Sequence, residues 1–186
     1  SGDGLDSNSN LIIEGGEIYV NGPTNDGNGA LDYDGTATIS GGTFVAVGSS
    51  GMVQGFSDSS TQCSILYNLS SSHSTDEKIT LADSSGNEII SYTSTKQFSS
   101  VVISSAKITK SGTYTLTVGS ESYDIEMSST VYSNGSNGFG GGGMGGNKPD
   151  GFGRGNNGKP PKMPNGENSG MTPPDKPSRE TSTTNT

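Results

Sequence analysis

Gly29-Ala30-Leu31-Asp32-Tyr33-Asp34-Gly35, followed by Ala37-Thr38-Ile39, Gly41-Gly42 and Phe44-Val45-Ala46, decides the fold, because the chain has already said it once. Gly4-Leu5-Asp6-Ser7-Asn8, Leu11-Ile12-Ile13, Gly15-Gly16 and Ile18-Tyr19-Val20 stand at the matching places, displaced by 26 residues throughout. A fixed period of this length is the mark of a solenoid, in which each unit buries its apolar face only against its neighbours. Leu11 and Ile13 alternate, as do Ile18 and Val20, which is the period of a strand with one buried face. Ala37 and Ile39, then Phe44 and Ala46, repeat the pattern, with polar or outward positions between them. Each Gly-Gly pair separates two short strands and reads as a corner. A unit of this length has a contour of roughly 85 Å, enough to go once round a small rung with three short faces. Rungs stacked in parallel would set Leu5 over Leu31, Ile13 over Ile39 and Ile18 over Phe44. The expectation is a right-handed parallel β-helix over residues 1–60, with a degraded third coil from Ser49 to Phe56. A β-meander would also give short strands, but it would not hold one displacement across strand, corner and strand.

Composition supports a thin, repetitive core. Of 186 residues only 26% are hydrophobic and 6% aromatic, with 30 glycines and no tryptophan. A compact domain of this length ordinarily carries far more apolar residues. Residues 61–133 change style. Strand-like runs at Cys63–Leu69, Lys78–Ala82, Glu88–Thr93, Phe98–Ser104, Thr113–Val118 and Ser122–Met127 are separated by turns such as Asp83-Ser84-Ser85-Gly86-Asn87. They predict an antiparallel cap or small sandwich, which a solenoid needs at its open end. Residues 134–186 hold 14 of the glycines and seven of the eight prolines, a composition expected to form a disordered tail. The chain has no initiator Met and its first repeat begins at residue 1, so it reads as the C-terminal piece of a longer protein.

The net charge is −9, and residues 1–60 contain eight acids without a single Lys or Arg. Such a surface argues against a nucleic-acid partner. No apolar stretch is long enough to insert into a membrane. Cys63, the one cysteine, cannot form an intrachain disulfide and sits in an apolar run as a small buried residue. His73 lies in the polar stretch Ser70–Ser74 and is expected in a loop. Lys78, Lys96, Lys107 and Lys110 are expected as solvated surface charges.

The densest set of oxygen ligands is Asp3, Asp6 and Asn8 in one unit and Asn28, Asp32 and Asp34 in the next. Stacking would bring Asp6 beside Asp32 and Asn8 beside Asp34. Two carboxylates about 5 Å apart repel unless a cation or proton lies between them. Calcium, which accepts six to eight oxygens in flexible geometry, would relieve that repulsion. The residues alone leave a second reading open, in which Asp, Asn and Gly simply make the turn. Tyr19 and Tyr33 are the aromatic candidates for a sugar platform, Tyr19 facing outward between Ile18 and Val20.

The phrases Gly2-Asp3-Gly4-Leu5-Asp6-Ser7-Asn8, Gly29-Ala30-Leu31-Asp32-Tyr33-Asp34-Gly35 and Ile39-Ser40-Gly41-Gly42-Thr43 resemble a family of bacterial secreted carbohydrate-binding domains, and so does Ser99-Ser100-Val101-Val102-Ile103-Ser104. That family consists of calcium-binding parallel β-helices, similar in fold to pectate lyases, that bind acidic plant polysaccharide such as polygalacturonate. The resemblance spans residues 1 to about 130. It implies a non-catalytic, secreted or cell-surface glycan binder that uses calcium, with Asp3, Asp6, Asp32 and Asp34 as the matched ligand positions. Two other classes compete with it. A uronate lyase needs a basic residue to take the proton beside the carboxyl group, and the coils hold none. Paired carboxylates for hydrolysis would be too close and too alike if Asp6 and Asp32 stack. A surface stalk or adhesin, with the solenoid as a spacer, needs no binding residues at all.

Overall fold

The computed structural model describes residue 2 and residues 4–135. It is all-β: the described residues form thirteen strands and no helix. In chain order they are β1 (Leu5–Ser7), β2 (Leu11–Ile13), β3 (Glu17–Asn21), β4 (Leu31–Tyr33), β5 (Ala37–Ile39), β6 (Thr43–Gly48), β7 (Ser64–His73), β8 (Lys78–Asp83), β9 (Glu88–Thr93), β10 (Phe98–Ser104), β11 (Thr113–Val118), β12 (Glu121–Glu126) and β13 (Val131–Ser133).

The repeat governs the first six strands. β1 pairs with β4, β2 with β5 and β3 with β6, all in parallel. Leu5 stands opposite Leu31, Ile13 opposite Ile39 and Ile18 opposite Phe44. At both Gly-Gly corners the second glycine takes a positive φ, 90° at Gly16 and 93° at Gly42, a conformation side chains avoid. The first unit is the less covered of the two. Leu5, Leu11, Ile13, Ile18 and Val20 are half-buried, whereas Leu31, Ala37, Ile39, Phe44 and Ala46 are buried. The second unit is enclosed by the first on one side and by Val53, Phe56, Leu66 and Val102 on the other.

Residues 49–63 finish the stack without forming a strand. The Gln54 side chain does the work of a neighbouring backbone. Its Oε1 accepts from Tyr33 N at 2.9 Å and its Nε2 donates to Tyr33 O at 3.3 Å. Ser57 N donates to Ala37 O at 2.8 Å, and Ser60 Oγ accepts from Ile39 N at 3.1 Å. Gln54→Ala would leave both polar groups of Tyr33 without these partners in a half-buried place. It is expected to cost about 1–2 kcal/mol, read from urea midpoints at unchanged slope.

Beyond this point the pairing becomes largely antiparallel. β6, parallel to β3 on one edge, is antiparallel to β10 on the other. β10 continues antiparallel to β7, and β13 closes the sheet parallel to β7. The result is one mixed five-stranded sheet, ordered β13-β7-β10-β6-β3. The repeat-containing segment and residues 61–133 therefore share a sheet rather than meeting as separate layers. Val45 and Val47 of β6, with Val101 and Ile103 of β10, face a core shared with the second large sheet, β12-β11-β8-β9. Phe44 and Ala46, with Val102 and Leu66, face the interior of the stacked units. Burial on both faces explains the unbroken apolar runs Phe44–Val47 of β6 and Val101–Ile103 of β10.

Two expectations need correction. β7 extends to His73, which is 7% exposed and belongs to a strand rather than a loop. Order also continues past residue 133. Asn134 Oδ1 accepts from Asn68 N at 2.7 Å and its Nδ2 donates to Asn68 O at 2.8 Å, extending β13 by a side chain. The expected disordered tail otherwise lies outside the described residues.

The β8–β9 turn is held by Asp83, whose carboxylate accepts from Asn87 Nδ2, Asn87 N and Ser85 N. These bonds, Asn87's side chain foremost, hold its pKa below the ordinary 3.8. A depressed folded-state pKa stabilises above the unfolded value and is lost as pH falls through the folded one. Asp83→Asn is therefore expected to lose that stabilisation at neutral pH, to flatten the acid side of the stability profile, and to differ least from the parent chain well below about pH 4. Thermal melts across that range would check it.

Candidate functional site

β1 and β4 form the edge on which the oxygen ligands lie. Leu31 is buried, so by strand alternation Asp32 points away from the core, and Asp6 stands opposite it in register. Neighbouring strands place such residues about 4.8 Å apart. Asp6 is exposed and Asp32 half-buried. Asp34 N donates to Ser7 O at 3.1 Å and Gly35 N to Ser9 O at 2.9 Å, so the column continues through Asn8 and Asp34, both exposed. Asn10 Oδ1 reaches from the first unit to accept Thr36 N at 2.9 Å, fixing this corner. Asn28 is turned toward its own loop, its Nδ2 donating to Asn25 Oδ1 at 3.1 Å. Asp3 lies outside the described residues. Among the described residues, no three Asp, Glu, His or Cys side chains converge closely enough to hold an ion by themselves. A cation at this edge would need Asn, main-chain or water oxygens beside the Asp6–Asp32 pair.

The two candidate sugar platforms are both occupied in part. Tyr19 does face outward, 46% exposed, but its ring stacks on Tyr92 of β9 with centroids 5.4 Å apart. Tyr33 packs against the interior of the stack, and its hydroxyl donates to Gly55 O. Burial pushes the Tyr33 hydroxyl's pKa up. A second aromatic group, not singled out from the sequence, lies at the far edge of the paired sheets. Tyr67 of β7 meets Tyr123 of β12 at 4.8 Å and Tyr132 of β13 at 6.4 Å. Strand alternation gives each tyrosine's face, but only the pairing of the two sheets brings these three together.

Lys96 is exposed as expected, and it also makes a specific contact. Its ammonium donates to Asn21 O at 3.0 Å, and Asn21 Oδ1 accepts from Thr95 N at 3.1 Å. These bonds tie the segment before β10 to the end of β3. Lys78 behaves as expected, pairing with Glu88 at 3.4 Å on the surface.

Comparison with protein-family models, with curated proteins and with solved structures finds no match. Among the described residues, no helix is long and apolar enough to cross a membrane.

Proposed function

We propose that the chain is a non-catalytic, calcium-dependent carbohydrate-binding module for acidic, pectin-like polysaccharide. Its stacked units would be coils of a right-handed parallel β-helix, and the protein would act outside a bacterial cell or at its surface, as the sequence resemblance implies. The observation that carries the reading is the register of Asp6 against Asp32 on an outward strand edge. Like charges held side by side favour a cation between them, and calcium suits carboxylate, carbonyl and amide oxygen. A uronate carboxylate would complete the coordination of an ion already held by the protein. An acidic chain and an acidic glycan repel, so the cation is what makes association favourable. Lys96, the lysine bonded to the repeat segment, is engaged with main-chain oxygen, which argues against a lyase base there.

Calcium is expected to confer binding to polygalacturonate that excess chelator abolishes. Asp6→Asn combined with Asp32→Asn is expected to weaken that binding by at least about tenfold, or roughly 1.4 kcal/mol. Isothermal titration with polygalacturonate in calcium and in chelator measures both. Binding unchanged by chelator would overturn the mechanism. Release of unsaturated ends would show catalysis instead, and calcium that raises Tm without glycan binding would favour a stalk.

A further inference from the structure

We infer that His73 and Glu121 form a second cation site, suited to a borderline divalent metal such as zinc and separate from the acidic edge of the stacked units. His73 ends β7 and is 7% exposed. A bulge between Phe98 and Ser100 sets Phe98 opposite His73, and the two rings stack with centroids 5.6 Å apart. The imidazole is thus fixed in orientation before any ligand arrives. Its Nδ1 lies 2.7 Å from Glu77 Oε2. Glu77's other oxygen, Oε1, accepts from Ser74 N at 3.0 Å, which holds the carboxylate in place. A carboxylate accepts, so Nδ1 donates to Glu77, and in the neutral ring this leaves Nε2 with the lone pair.

That lone pair has no hydrogen-bond partner. It faces Glu121 Oε2 across 3.7 Å, an acceptor facing an acceptor. Two acceptors in that relation are satisfied by a cation between them. Zinc bonds to imidazole nitrogen and carboxylate oxygen at about 2.0–2.2 Å, so one ion can touch both atoms at an open tetrahedral angle. Glu77 is then the carboxylate that orients a metal-bound histidine and raises its basicity. Tyr123, whose hydroxyl donates to Glu121 Oε2, fixes the second ligand in the same way. Glu121 is 44% exposed, so an ion would reach the buried Nε2 from the Glu121 side and take its remaining ligands from water there. The donor set of one imidazole and one carboxylate selects zinc-like ions over calcium, which takes oxygen. Because β7 and β12 lie in different sheets, a bound ion would pin the two sheets together at this edge.

His73 is the single histidine of the chain, so its ring nitrogens can be followed without ambiguity. The test is a zinc chloride titration of the chelator-treated full chain, read by nitrogen NMR of the imidazole and by calorimetry. Zinc is expected to move the Nε2 resonance while Nδ1 stays protonated, and calcium at the same concentration is expected to move neither. Glu121→Gln, at a half-exposed position, is expected to weaken zinc binding by more than about tenfold, and Glu77→Gln by about tenfold. Zinc affinity unchanged in Glu121→Gln, or an Nε2 signal that zinc leaves in place, would overturn the assignment. So would an Nε2 that responds to acid alone, which would make the cation a proton. None of these readouts involves glycan, so the site stands or falls apart from the function proposed above.

Discussion

Gly42→Ala is expected to destabilise the protein far more than Gly16→Ala, although the two glycines occupy the same place in the repeat. Both sit at positive φ, 90° and 93°, so an L side chain is strained at either. That shared strain is worth roughly 1–2 kcal/mol. A Cβ on Gly16 would meet nothing within 4 Å. A Cβ on Gly42 would lie 2.5 Å from Gly16 O and 2.8 Å from Gly15 C. Those are backbone atoms of the unit beneath, and Gly16 O is already the acceptor for Thr43 N at 2.8 Å. Relief requires prying the rungs apart. We expect a loss on the order of 4 kcal/mol or more for Gly42→Ala, against 1–2 kcal/mol for Gly16→Ala, from paired denaturant titrations. Equal losses would mean that the corners do not rest on one another.

Phe44→Ala is the second large effect. Phe44 is fully buried, meets Phe56 edge-on at 5.0 Å, and sits on the strand that serves both halves of the fold. Removing the ring leaves a cavity between the stacked units and their closing segment. A loss of roughly 3–5 kcal/mol is expected, a large part of an ordinary domain's stability. Val45→Ala, one residue on, opens the other face of the same strand, toward the core shared with the second sheet. It is expected to lose less, because less side chain is removed. Chemical denaturation of both variants measures the contrast. A near-neutral Phe44→Ala would show that the interior of the stack is not a packed core.

How much of this was legible beforehand depends on what each residue answers to. The pairing of Ile13 with Ile39 and of Ile18 with Phe44 was readable because the repeat itself encodes it. The antiparallel runs were readable because period-two patterning and turn residues are local. The stacking of Leu5 over Leu31 is likewise encoded by the repeat, but that β1 and β4 are themselves strands is not, since Asp, Ser and Asn mask a three-residue strand. The sharing of β6 between two cores was not seen, although Phe44-Val45-Ala46-Val47 carries its mark in an apolar run with no polar alternate. Gln54 and Asn134 could not have been found from the sequence. Their amides complete strands that lie 21 and 66 residues away in the chain. His73 was misplaced for a related reason: Ser70-Ser71-Ser72 reads as loop, and only the bulge opposite Phe98 carries β7 that far. At the candidate calcium edge the Asp6–Asp32 column was legible, whereas the engagement of Tyr33 and Tyr19 with Gly55 and Tyr92 was not.

Main-chain NMR contacts between strands test the stacking most directly. Parallel pairs keep a constant difference in residue number, and antiparallel pairs keep a constant sum. The expected contacts link Asp6 with Asp32, Ile12 with Thr38 and Tyr19 with Val45, each pair separated by the length of one repeat. Contacts in which rising numbers on one strand meet falling numbers on the other would contradict the stack, and with it the shared carboxylate column.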